Sequence, residues 1–95
     1  MNKARKAQAK RVAAQLRILS DGLWALMCAE RAAYEATPES LRDGWEGQAR
    51  YEVAEQLESA WHAAEEAWAA VGRALESAEE ARGRRVGTGR LRIGR

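Results

Sequence analysis

Between Leu57 and Ala81 the chain repeats itself every seven residues along three parallel tracks. Leu57, Ala64, Val71 and Ala78 form the first, Ala60, Ala67, Ala74 and Ala81 the second, and Trp61, Trp68 and Leu75 the third. Apolar residues at this spacing stay on one side of an α-helix, so the stretch is expected to be a long helix lying along another helix. The partner is upstream. Val12, Leu16, Leu19, Leu23, Leu26 and Ala33 recur at spacings of three, four and seven, which predicts a first helix from about residue 3 to about residue 36 with these residues as its inner stripe.

Thr37-Pro38 ends that helix, because proline disfavours helical geometry at the residue before it. Thr37 as N-cap and Pro38 as first helical residue suit a new short turn through Glu39, Ser40 and Leu41. Asp43-Gly44-Trp45-Glu46-Gly47 is the loosest part of the interior, and Asp43 or Gly44 is placed to cap a second helix running to about Arg82. Two helices of about 35 residues, each ~50 Å long, joined by so short a connector, must fold back on each other. The expected architecture is therefore all-α: an antiparallel, coiled-coil-like hairpin over residues 1–82, with a connector at about 37–46 and the second helix from about 47. Residues 83–95, with four Gly and five Arg, read as a basic tail containing a short extended piece at Arg90-Leu91-Arg92-Ile93.

The core of such a hairpin is thin. Of 95 residues 46% are apolar, but 21 of these are Ala and none is Phe. A buried Leu or Trp contributes about 1.5–3 kcal/mol and an Ala far less, so assembly into a helical-bundle oligomer is expected to supply the missing burial. The single Cys28 excludes an intrachain disulfide and fits a reducing compartment. With no apolar run approaching the ~20 residues that cross a bilayer, a cytoplasmic protein without membrane contact is expected.

The aromatic residues are not placed alike. Trp61 and Trp68 lie on one flank of the second helix's apolar face, opposite the Ala track; they suit either core and interface packing or a stacking platform for a planar ligand. Trp24 sits about 120° around the first helix from the Leu stripe, alongside Met27. An ordinary hairpin leaves that pair exposed as a second contact surface for another copy or for a target protein.

Charge falls in blocks. Residues 1–17 hold Lys3, Arg5, Lys6, Lys10, Arg11 and Arg17 and no acid; residues 82–95 hold Arg82, Arg84, Arg85, Arg90, Arg92 and Arg95 and no acid. The body between them carries four basic residues against all 14 acids, a net of −10 hidden within an overall +2. An antiparallel hairpin brings the two basic blocks to one pole, where they form a candidate site for a nucleotide, a nucleic acid or an acidic protein surface. Helix stability does not explain the first block, since cations at a helix N-terminus oppose its macrodipole by roughly 0.3–1 kcal/mol each.

Catalytic signals are weak. His62 lies one turn from both Glu58 and Glu66, a spacing that can bind a metal, but it projects away from the apolar face as a solvated residue does. No base stands beside a nucleophile, and the glycines after residue 82 neither follow a strand nor open a helix. The residues indicate neither an enzyme nor a cofactor.

The run Glu30-Arg31-Ala32-Ala33-Tyr34-Glu35-Ala36-Thr37-Pro38-Glu39-Ser40-Leu41, then Gly47, then Leu57-Glu58-Ser59-Ala60-Trp61 and Ala64-Glu65-Glu66-Ala67-Trp68, resembles a family of small phage and prophage proteins. These have a basic helix start, a Pro-Glu-Ser-Leu turn and Leu-Glu-Glu-Ala repeats every seven residues. Trp61 and Trp68 stand where that family more often has Ile, and Ala36 fills an Asn position. The resemblance implies a viral accessory protein in a bacterial cytoplasm, forming a helical hairpin, with no activity attached. Its leading functional expectation is a non-enzymatic protein that binds a host factor, such as a component of host defence, through Trp24, Met27, Trp61 and Trp68. The alternatives are an oligomer that sequesters a nucleotide and a nucleic-acid binder acting through the basic pole.

Overall fold

The computed structural model describes the backbone of residues 1–93 and the side chains of residues 1–83. Three helices follow in order, α1 (Lys3–Ala36), α2 (Glu39–Arg42) and α3 (Trp45–Ile93), and no strand occurs among the described residues. At its start α1 is capped by Asn2, whose Oδ1 accepts from the Arg5 amide at 2.8 Å, although no acid in the first turn offsets the cations there.

The corner is built from the orphan carbonyls at the end of α1. Thr37 takes the extended backbone that Pro38 imposes, with ψ at 131°, and its hydroxyl turns back to donate to the Ala33 carbonyl at 3.0 Å. That hydroxyl is thereby spent on α1, so Thr37 is the C-cap of α1 and α2 starts one residue later than expected, at Glu39 after Pro38. Two arginines from beyond the corner complete the cap. Arg42 donates to the Thr37 carbonyl at 3.1 Å and the Glu35 carbonyl at 2.7 Å, while Arg50 reaches the Ala33 carbonyl at 3.3 Å and Thr37 Oγ1 at 3.0 Å. Gly47 is buried against this corner, where a Cβ would stand 2.3 Å from the Arg42 carbonyl oxygen.

From the corner α1 and α3 run back antiparallel in one register. Tyr34 meets Tyr51, Trp24 meets Trp61, Ser20 meets Glu65 and Lys6 meets Glu79, while the long Arg31 side chain reaches along α3 to both Glu55 and Glu58. Each step forward along α1 is matched by an equal step back along α3, giving a rod of 80 × 20 × 15 Å. The expected tracks through Leu57 and Trp61 do face α1, with Leu57, Trp61, Ala64, Val71, Leu75 and Ala78 all half-buried.

The inner face of α1 differs from the expected stripe. It consists of Lys6, Ala9, Ala13, Leu16, Ser20, Leu23, Met27 and Tyr34, itself a seven-residue repeat. Of the predicted stripe only Leu16, Leu23 and Ala33 are covered; Val12, Leu19 and Leu26 lie one residue earlier on the helix and face out, Leu19 at 60% and Leu26 at 55% exposure. Rotating α1 this way brings Met27 in to 3% exposure and places Trp24 on Trp61. It also aligns Arg17 with Glu65 and Arg31 with Glu55 and Glu58 of α3.

Two further expectations change. The second helix does not stop near Arg82, and the backbone at Arg90-Leu91-Arg92-Ile93 is helical rather than extended, because no proline interrupts the local hydrogen bonding and each Gly there costs only about 1 kcal/mol. α1 is also long and apolar enough to span a membrane by length and composition, with 11% of the apolar window buried. Its longest unbroken apolar run, Leu23 to Ala29, is seven residues, and alanines between the Leu and Ile positions raise the average of the rest.

Replacing Gly47 with Ala is expected to destabilise the hairpin by about 1–3 kcal/mol, since the corner backbone has to move. Gly72→Ala, whose added methyl meets nothing within 4 Å, is expected to be neutral or stabilising by up to ~1 kcal/mol. Urea titrations followed by circular dichroism separate the two.

Candidate functional site

The two long edges of the hairpin differ in chemistry. Along one edge α1 presents Arg17, Trp24 and Arg31, and α3 answers with Glu55, Glu58, Glu65 and Trp68. Arg31 donates to Glu58 at 2.9 Å and lies 3.5 Å from Glu55, and Arg17 lies 3.5 Å from Glu65 with its guanidinium over the Trp68 ring at 5.4 Å. Exposed ion pairs of this kind are worth at most about 1 kcal/mol each, so their role is to fix register. At the centre of this edge the fully buried Ser20 hydroxyl donates to Glu65, a polar contact that any slip of one helix along the other would leave unpaired.

The aromatic residues of this edge are held in place. Trp24 and Trp61 stack tilted with ring centroids 4.8 Å apart, and Trp24 keeps 47% exposure on its outer side. Trp68, under Arg17, is 41% exposed. Trp24, Trp61 and Trp68 thus form one partly open row. Met27, expected beside Trp24 on a free surface, is instead core, because the rotation of α1 turns it into the interface between the helices.

At the end away from the corner, α1 and α3 enclose a cleft of about 920 Å³ lined by Met1, Lys3, Lys6, Lys10, Ala78 and Arg82. The antiparallel fold therefore brings the first basic block against the start of the second. The positive field there is tempered by acids, with Lys6 paired to Glu79 and with Glu76 and Glu80 flanking an adjoining hollow. Arg5 and Arg11 are exposed on α1 outside the cleft lining. The expectations for Arg84, Arg85, Arg90 and Arg92 concern side chains outside the described residues.

His62 is exposed beside Trp61, and Glu58 is engaged by Arg31; among the described residues no group of His, Cys, Asp and Glu is arranged to hold a metal. Two exposed apolar regions escaped the sequence reading. Trp45, 85% exposed, stands with Leu41 at the corner, and the outward Val12, Ile18, Leu19 and Leu26 lie on α1. The one available signal was that Trp45 and Leu41 fall in the connector, where no helix of the hairpin can cover them. No protein-family model, curated protein or solved structure matches this chain.

Met27→Ala is expected to cost about 2–3 kcal/mol, because Met27 is the bulkiest fully covered apolar side chain among the described residues. Ile18→Ala, at the back of α1, is expected to cost under ~0.5 kcal/mol. Thermal denaturation of both variants tests the rotated face directly, since an inner stripe centred on Leu19 predicts no such loss at Met27.

Proposed function

We propose that this chain is a non-enzymatic interaction protein of phage origin that self-associates and binds a host factor in a bacterial cytoplasm, such as a component of host defence. The observation that carries the reading is the ordered row of Trp24, Trp61 and Trp68 on the ion-paired edge. Trp and Arg dominate binding energy at protein interfaces, and here both are held by neighbours before any partner arrives, which lowers the entropy cost of docking. The alternation of Arg and Glu around the row supports orientation of a partner with complementary charges. The resemblance to phage proteins supports the host context.

The test is capture from bacterial lysate with wild type and with the Trp24→Ala/Trp68→Ala double variant. A saturable protein retained by the first and lost at least tenfold by the second supports the reading; wild type retaining nothing overturns it.

The cleft between Lys3, Lys6, Lys10 and Arg82 favours a second reading, binding of a phosphate-bearing ligand such as a nucleotide or nucleic-acid end. It predicts a rise in melting temperature with a nucleotide or short oligonucleotide that disappears in Lys3→Ala/Arg82→Ala and falls steeply with salt. An unchanged melting temperature across a panel of linear and cyclic nucleotides and oligonucleotides removes it.

A further inference from the structure

The edge opposite the ion pairs bears a different surface. On α1, Val12, Leu19, Leu26 and Ala33 recur every seven residues; on α3, Val53, Ala60, Ala67 and Ala74 do the same. In an antiparallel helix pair whose charged positions meet along one edge, these two series flank the other, with Leu16, Leu23, Leu57, Ala64 and Val71 forming the floor between them. None of these thirteen residues is charged, the one acid within the span being Glu30, next in the series after Leu16 and Leu23, and Val12, Leu19, Leu26 and Val53 are exposed. The result is one broad apolar face on a rod where, among the described residues, Met27 and Ala54 are the fully covered apolar side chains.

We infer that this face is covered by a second copy of the chain, related by a two-fold axis along the rod, so that two hairpins close into a four-helix bundle. This deepens the self-association in the functional reading above by naming the surface and its occupant. Two observations select a copy of the same chain.

The first is complementarity of size. The hairpin register sets Val12 level with Ala74, Leu19 with Ala67, Leu26 with Ala60 and Ala33 with Val53. A two-fold axis along the rod preserves those levels and lays α1 of one copy over α3 of the other. Each bulky residue of α1 then faces an alanine of the partner helix, and Ala33 faces a valine. Such large-to-small matching is what packs facing helices, and here the chain supplies both halves.

The second is area. The apolar face spans residues 12–33 of α1, ~32 Å at 1.5 Å per residue, across the 20 Å width of the rod. That gives about 650 Å² per copy, or ~1,300 Å² in total, within the range of specific stable interfaces. The same axis sets both basic clefts at one end of the bundle and leaves both Trp24 edges on its outside.

Light scattering coupled to gel filtration should give twice the monomer mass of 10.5 kDa for the full chain at micromolar concentration. Leu19→Glu/Leu26→Glu should halve that mass while circular dichroism still reports helix. The geometry is tested by mixing two single-cysteine proteins in a Cys28→Ser background, Leu19→Cys and Ala67→Cys, under mild oxidation. Covalent heterodimer in the mixture, with neither protein cross-linking alone, supports the parallel bundle. A monomer mass for wild type overturns the inference altogether, whereas an oligomer without the cross-link, or with Leu19→Cys linking to itself, overturns this face and axis. Neither result bears on lysate capture through Trp24 and Trp68, so failure of this inference and failure of host-factor binding are read separately.

Discussion

The contact on which the rest of this molecule depends is the polar layer at the middle of the hairpin, where Ser20 is shut away from solvent against Glu65 and Arg17 approaches the same carboxylate. It contributes little net stability, since ion pairs at half-exposed positions are screened and a buried hydroxyl gains about as much as it loses on leaving water. Its effect is on choice. A helix pair rich in alanine offers many registers of similar energy, and a slip of one turn would bury a carboxylate without its donors at a cost larger than any alanine contact returns. With the centre fixed, Trp24 must lie on Trp61, Arg31 on Glu58 and Lys6 on Glu79.

That choice divides the hairpin into two unlike edges. The ion-paired edge pairs Arg17 and Arg31 with acids of α3 and holds three tryptophans in a partly open row, which suits recognition of a foreign surface. The opposite edge has no ion pair across it and carries Glu30 alone among charged residues between Val12 and Ala33, which suits burial. A chain that left both edges apolar would aggregate, and one that paired both would have no reason to assemble.

Much of this was legible in the heptads. The all-α character, the long helices, the break at Thr37-Pro38 and the inward tracks of Leu57 and Trp61 all follow from local rules, because proline geometry and a seven-residue period act within a few residues of themselves. The rotation of α1 was not legible. Its Leu and Val positions form the most apolar stripe, and hydropathy alone points that stripe at α3; the structure instead turns in Met27, Ser20 and Trp24, because only this face carries groups that match Trp61 and Glu65 across the gap. Pairwise partners are properties of two helices together, and no single-helix pattern contains them. The same error made Met27 look free and left Leu19 and Leu26 unnoticed as surface.

By itself the amino-acid order determined that the chain would be helical, where it would turn, and that its two basic blocks would meet at one end if it turned there, since these are matters of short-range sterics and of chain length. Only the packed hairpin decided which side of α1 faces inward, how far Trp24 is covered and which edge remains apolar. The physical reason is that an alanine-rich interface is nearly indifferent to rotation, so a few polar and aromatic pairings, distant in sequence, select one arrangement among many that hydrophobicity ranks alike.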